Sequence, residues 1–183
     1  MKKIPPGMIA PFATLSLLAV TGLCLSFYTL RWTMVKRQVH HDFPQVRQMN
    51  TRQLADWLRD KRAVAPVLLD VRTSEEFNLS HLQNARRVEP GSDPTQLNLP
   101  ADAPIVTYCS VGYRSSAFSK SLIEAGFKNV RNLEGSIFQW VNEGRPVVAD
   151  DHVVDKVHPY NEFWGRLLVK SHRADVAALG SAK

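Results

Sequence analysis

The 183-residue chain predicts an α/β domain, a mostly parallel central sheet flanked by helices in three layers, with an N-terminal transmembrane helix ahead of it. Three observations carry this. Short apolar runs such as Val67-Leu68-Leu69-Asp70 and Ile105-Val106-Thr107-Tyr108 alternate with segments whose apolar residues recur at helical spacing, the pattern of parallel strands covered on both faces. Cys109 stands at the end of one such run and before a helical segment, at the carboxyl edge where open α/β sheets take ligands. Residues 12–30 carry no charge.

Taken in order, Met1-Lys2-Lys3 is followed by that charge-free run. Its nineteen residues span ~28 Å as a helix, close to the ~30 Å hydrocarbon core of a bilayer. Residues 1–30 therefore predict a single-pass anchor, with Tyr28 and Trp32 near one interface and Arg31, Lys36 and Arg37 beyond it. The rival is a cleaved secretory signal, for which Val20-Thr21-Gly22 and Cys24-Leu25-Ser26 are mediocre cleavage sites. Arg31, Lys36, Arg37 and Arg47 against Lys2, Lys3 and the terminal amine lean toward a cytoplasmic carboxyl-terminal domain. Residues 31–47 are polar and basic and read as a juxtamembrane linker.

Residues 48–148 hold the strands and helices of the domain. Asn50 or Thr51 caps a helix with Leu54, Trp57 and Leu58 on one face, ending before Pro66. A strand follows at Val67 to Asp70, then Thr73 and Glu76 at capping-box spacing open a short helix. Ala85 to Val88 is a weak strand, and a loop rich in Pro, Asp and Asn leads to Pro104 and the cysteine strand. Ser115 or Ser116 caps the next helix, with Phe118, Leu122 and Ile123 at helical spacing and Gly126 as its stop. Val130 to Leu133 forms a strand and Ile137, Phe138 and Val141 a helix that stops at Gly144. Residues 149–183 form an extension, irregular through Pro159, after which Asn161 caps an amphipathic helix bearing Phe163, Trp164, Leu167 and Leu168. That helix packs on the domain or rests on a membrane surface.

The chemistry concentrates in Cys109-Ser110-Val111-Gly112-Tyr113-Arg114-Ser115. A tight loop feeding a helix N-terminus aims unpaired N–H groups at one spot, and these favour an anion. If the loop lowered a thiol pKa from ~8.5 to ~6.5, the thiolate fraction at pH 7 would rise from ~3% to ~75%, while nucleophilicity fell roughly sixfold to tenfold. Activation is then worth only ~3-fold. The larger service is holding an anionic sulfur donor and a charged intermediate. Four residues separate Cys109 from Arg114, one fewer than in the loops of cysteine phosphatases, which disfavours a phosphatase or arsenate reductase.

The loop resembles the active-site loop of the rhodanese (thiosulfate sulfurtransferase) family. Val67-Leu68-Leu69-Asp70-Val71-Arg72 with Glu75-Glu76-Phe77 and Ser80-His81-Leu82-Gln83-Asn84-Ala85 is similar to that family's first signature. Leu133-Glu134-Gly135-Ser136-Ile137-Phe138-Gln139-Trp140 with Gly144-Arg145-Pro146-Val147 is similar to its last. The chain departs from the pattern at Ser80, Gln83 and Asn84, where the family has Gly, Pro and Gly, and at Ser136, where it has a second glycine. The resemblance spans residues 48–148 and implies a rhodanese-like fold and a sulfurtransferase. Cys109 would carry a persulfide, and residues 110–115 would bind a small anionic donor, thiosulfate or a persulfide, with Arg114 supporting the loop or the sulfonate. A thiol, on a small molecule or a protein, or cyanide would accept the sulfur. No metal or organic cofactor is implied. A module that binds or carries sulfur to a partner at the membrane is the alternative.

Other residues read as structural: Asp70 and Arg72 as an ion pair, His81 as packing, Trp57 and Trp140 as core, Tyr113 and Val111 as the loop's rim, Arg86 and Arg87 as solvated surface. The formal charge of +6 is dispersed rather than striped with aromatics, which argues against nucleic-acid binding. Cys24 and Cys109 are the only cysteines, too few for a disulfide framework or a zinc site.

Overall fold

The structure is a computed structural model and describes residues 28–176. Residues 28–42 are helical (α1), followed by β1 (Arg47–Met49), α2 (Thr51–Arg59), β2 (Val67–Asp70), α3 (Ser74–Leu79), β3 (Arg86–Arg87), β4 (Ile105–Tyr108), α4 (Tyr113–Glu124), β5 (Val130–Leu133) and α5 (Ser136–Asn142). A hairpin of β6 (Val147–Ala149) and β7 (His152–Val154) and a single turn, α6 (Glu162–Gly165), complete the described chain. Five strands pair in the order β1-β5-β4-β2-β3, and every pairing is parallel.

Side-chain alternation along the central strands sorts the core into two layers. On β4, Ile105 and the following Cys109 join the layer formed with Phe118 and Leu122 of α4, whereas Val106 and Tyr108 join the layer beneath Leu54 of α2 and Ile137 and Phe138 of α5. Leu69 and Leu68 of β2 divide the same way. The cysteine therefore emerges from the sheet on the face that α4 covers.

Local signals produce the local elements. Asn50 accepts from the Gln53 N–H at 2.9 Å and Gln53 returns the bond to Asn50, a capping box for α2. Thr73 and Glu76 form the same box for α3. Leu58, expected on the packed face of α2, is 40% exposed, because the helix buries Leu54 and Ala55 instead. Trp140 is buried; Trp57 is half-buried, donating to Val64 O, with the Arg131 guanidinium 4.8 Å from its ring centroid.

The flanks differ from expectation. Residues 31–42, read as part of a linker, are helical, and Trp32 and Val39 turn into the domain. Trp32 belongs to the same apolar cluster as Phe138, and the Tyr28 hydroxyl accepts from Asn142 Nδ2 at 2.8 Å. Both side chains expected at a membrane interface are thus bound to protein. The span predicted over residues 12–30 falls mainly outside the described residues, as does Cys24; among the described residues no helix is long and apolar enough to cross a membrane. The helix expected after Asn161 is only one turn. Asn161 caps it through Trp164 N–H, but Leu167 and Leu168 follow in irregular chain and are buried in the domain. The stretch around Asp150-Asp151, expected to be irregular, is the tip of the β6–β7 hairpin, with both aspartates at positive φ (46° and 63°), as a tight two-residue turn requires.

Candidate active site

Two buried ion pairs prepare the sheet's carboxyl edge. The Asp70 carboxylate accepts from Arg72 Nε and Nη2, and Arg72 Nη2 also donates to Ser80 O at 2.6 Å, all without solvent exposure. Burial alone would lower the Arg72 pKa, but the Asp70 charge and hydrogen bonds outweigh it and raise the pKa above its ordinary value. This is the structural pair that the sequence suggests. His81 is also structural: its ring stacks on Phe77 at 3.9 Å and its Nδ1–H donates to Phe77 O at 3.0 Å, while its backbone pairs with Val148 of β6.

The second pair reaches the loop. Burial alone would raise the Glu76 pKa, yet Arg114, the Thr73 N–H and the Ser110 hydroxyl together bring it down to about 2. Arg114 Nη1 donates to Glu76 Oε2 at 2.9 Å and Nη2 to Oε1 at 2.8 Å, a bidentate fork. Ser110 Oγ donates to Glu76 Oε1 and accepts from Arg114 Nη2. The carboxylate that closes the α3 capping box thus also ties the two sides of the cysteine loop together.

Cys109 is 1% exposed, and its Sγ accepts the Gly112 N–H at 3.1 Å. Its own N–H donates to Ser136 Oγ, which in turn donates to Leu133 O. The turn depends on Gly112 at φ 108°, where a Cβ would also meet Asn132 Nδ2 at 3.3 Å. Helix α4 begins at Tyr113, earlier than a Ser115 or Ser116 cap predicts, because Gly112 is its N-cap. The first backbone bond back into the loop runs from Ser116 N–H to Gly112 O. The preceding amides at the helix start have no acceptor within the helix, and one of the loop's amides, that of Gly112, is directed at the sulfur.

The expected loop residues do different things. Ser110 and Arg114 meet at Glu76, while Val111 is buried in the core cluster. Tyr113 points outward: its hydroxyl donates to Asp42 Oδ2 at 2.9 Å and its ring meets Phe43 edge-on. Ser115 lies under the helix, donating to Asn132 Oδ1, which with Thr107, Ser119 and Gln48 makes a buried polar seam between α4 and the sheet. Above Cys109 is a cavity of about 330 Å³ lined by Cys109 to Val111, Tyr113 and Arg114 together with Val35 and Gln38 of α1 and Tyr160 and Trp164 of the carboxyl-terminal segment. Glu76, Asn132, Ser136 and these four flanking residues are the parts that sequence reasoning misses. A signal for α1 existed: Tyr28, Trp32, Val35 and Val39 repeat at helical spacing.

The rhodanese-like domain family model matches residues 50–143, more than half of the chain. The chain belongs to the rhodanese-like domain family. A sulfurtransferase of Allochromatium vinosum is 30% identical over 107 residues, which is 58% of this chain and 98% of the relative. A probable adenylyltransferase/sulfurtransferase, MoeZ, of Mycobacterium tuberculosis is 33% identical over 98 residues, 52% of this chain. The match spans only 24% of that relative's length. A tRNA uridine(34) hydroxylase of Wigglesworthia glossinidia brevipalpis is 30% identical over 109 residues, 50% of this chain and 35% of the relative. Among solved structures, the rhodanese-like domain of the Anabaena Alr3790 protein is 25% identical with a TM-score of 0.51, over 56% of this chain and 78% of that one. Two of these relatives are named sulfurtransferases and one a hydroxylase, and what they share with this chain is the rhodanese-like domain family. Within it, the matched rhodanese-like segment contains Cys109 to Ser115 and Glu76, whereas Val35, Gln38, Tyr160 and Trp164 lie outside it.

Proposed function

We propose that the protein moves sulfane sulfur from thiosulfate or a persulfide donor to a thiol or cyanide acceptor through a persulfide on Cys109. The observation that carries this reading is the Gly112 N–H on Cys109 Sγ at the start of α4. The Cys109 thiolate attacks the outer sulfur of thiosulfate; the S–S bond breaks, and its electron pair leaves on sulfite. The negative charge now on the terminal sulfur of Cys109 is held by the loop amides of residues 110–115, in a site already organised for it. An acceptor thiolate or cyanide then attacks that sulfur and returns Cys109 to thiolate, so the cycle is ping-pong. Arg114 is assigned to hold the loop through Glu76 rather than to bind the donor's sulfonate, since both of its terminal nitrogens engage that carboxylate. The two steps need only the thiolate and the amides.

The test is intact mass after thiosulfate treatment, followed by turnover with cyanide. A gain of ~32 Da on the native chain and none on Cys109→Ser, with a native circular dichroism spectrum, is the expected result. Turnover that survives Cys109→Ser overturns the assignment.

We also propose that the charge-free residues 12–30 hold the domain at a membrane with its catalytic side in the cytoplasm, on the strength of their length and the flanking positive charges. Extraction of the full chain from membranes by alkaline carbonate counts against the anchor, and protection of the domain from externally added protease in intact cells supports the orientation.

A further inference from the structure

The floor of the Cys109 cavity is supplied by the rhodanese-like segment, but its walls are not. Val35 and Gln38 come from α1, and Tyr160 and Trp164 from the carboxyl-terminal segment. At about 330 Å³ the space is near the lower end of the range (~300–1,000 Å³) that encloses small organic ligands, and holds roughly ten water volumes. A small oxyanion fills little of it.

The lining is also nearly neutral. Among the described residues that line it, the only charged side chain is Arg114, whose positive charge is already met by the Glu76 fork. Several of its neutral polar groups are already engaged: Ser110 Oγ with Glu76 and Arg114, Gln38 Nε2 with both Asp42 oxygens, and the Tyr113 hydroxyl with Asp42 Oδ2. The apolar surface open to a ligand beside Cys109 is Val35, Val111 and the rings of Tyr160 and Trp164. Tyr160 holds its place at φ 64°, a backbone region uncommon for a tyrosine, with its N–H donated to His158 Nδ1 and its ring centroid 4.7 Å from the Arg114 guanidinium carbon. A second cavity of about 130 Å³ shares Val35 and Trp164 and continues over Met34, Phe163 and Leu167, with Arg31 also in its lining.

We propose that the donor this site is built for is a low-molecular-weight persulfide, R–S–SH, whose organic part R is uncharged and apolar, aryl-alkyl or alkyl. This rests on the sulfur-transfer reading and narrows it. The Cys109 thiolate attacks the terminal sulfur, the S–S bond between that sulfur and the R-bearing sulfur breaks, and its electron pair leaves on R–S⁻, which takes up the proton as R–SH. Cys109 keeps the sulfur as its persulfide anion, and atoms, charge and electrons balance without any other reactant. The amides receive the terminal sulfur while R displaces water from the Val35, Tyr160 and Trp164 walls. A sulfonate would instead lose its hydration beside an arginine that is already neutralised.

The experiment uses the full chain with cyanide as the common acceptor and phenylmethyl persulfide, glutathione persulfide and thiosulfate as donors. Because intrinsic reactivity differs among donors, the readout is the ratio of kcat/KM values in the native chain against the same ratio in Val35→Arg and Trp164→Ala. The native chain should favour phenylmethyl over glutathione persulfide by about tenfold or more, and Val35→Arg should shrink that ratio at least about fivefold while raising use of thiosulfate. Alkylation of Cys109 by N-benzyl iodoacetamide against iodoacetate reads the same preference in the native chain, independently of variant folding and sulfur transfer. Loading by thiosulfate with ratios within about twofold across donors, together with no alkylation preference, overturns this inference and leaves sulfur transfer standing. If no donor loads Cys109 although benzyl alkylation is preferred, the sulfur-transfer reading is overturned and the donor assignment with it.

Discussion

Ser136 stands where the rhodanese-like pattern has a glycine, and its backbone keeps the glycine-like φ of 50°. The hydroxyl offsets that strain, because it is the acceptor for the Cys109 N–H in a fully buried place. Ser136→Ala keeps the strain and orphans the amide, so it should cost about 1–3 kcal/mol. Ser136→Gly orphans the same amide but removes the strain and should cost less. Denaturant midpoints in the reverse order would mean that the hydroxyl is not what holds the cysteine's backbone. Glu76 supports a second prediction at this scale. Held at about 2 instead of 4.5, this buried carboxylate contributes on the order of 3 kcal/mol. Its folded-state pKa is depressed, so the contribution is complete above pH ~4.5 and lost as pH falls toward ~2. Glu76→Gln should therefore be less stable at neutral pH and show a flatter acid limb between pH ~4.5 and ~2; an unchanged limb would place the acid sensitivity elsewhere.

Helix α4 shows how an element is positioned by its first turn. It buries Phe118 and Leu122, as the apolar spacing requires, but Ser115, Ser116 and Ser119 are buried as well and bond to the sheet rather than capping the helix. Gly112 makes the turn that allows it. Gly112→Ala should cost about 1–3 kcal/mol and slow sulfur loading of Cys109, since strain and the Asn132 contact both move the amide that faces Sγ. Loading at the native rate would show that this amide is dispensable. The flanks have their own fastening in Asn142 at the end of α5: its Nδ2 donates to the Tyr28 hydroxyl and Leu167 O, and its Oδ1 accepts from Val169 N–H. Asn142→Ala should raise hydrogen exchange in residues 28–42 and 164–169 while β4 and β5 stay protected. Equal loss of protection in the sheet would mean that the flanks have no separate hold.

At the scale of the molecule, additions outside the matched segment are parts of its core. Trp32, Val157, Leu167 and Leu168 share one buried cluster with Ile137, Phe138 and Trp140. Tryptophan fluorescence and far-ultraviolet circular dichroism should consequently report one unfolding midpoint for the described domain and its flanks; two separated transitions would make the flanks a satellite layer. The same arrangement sets Val35, Gln38, Tyr160 and Trp164 over Cys109 from outside the matched segment, so the proposed chemistry and the proposed donor selectivity draw on different parts of the chain.

Much of the domain was legible in order of sequence because its signals are local. Short apolar runs marked β2, β4 and β5, a cap at Asn50 or Thr51 and capping-box spacing at Thr73 and Glu76 marked α2 and α3, and a cysteine between a strand and a helix marked the edge where chemistry belongs. Sequence alone therefore determined the α/β class and the place of Cys109. Tertiary structure decided what surrounds it: Glu76 reaches Arg114 across 38 positions, Ser136 reaches Cys109 across 27, and Val35 and Trp164 meet over a cavity from opposite ends of the chain. Such pairings leave no periodic trace, since each partner satisfies its own helix or turn locally, and only the packing of one element on another brings the charges, hydroxyls and apolar walls together.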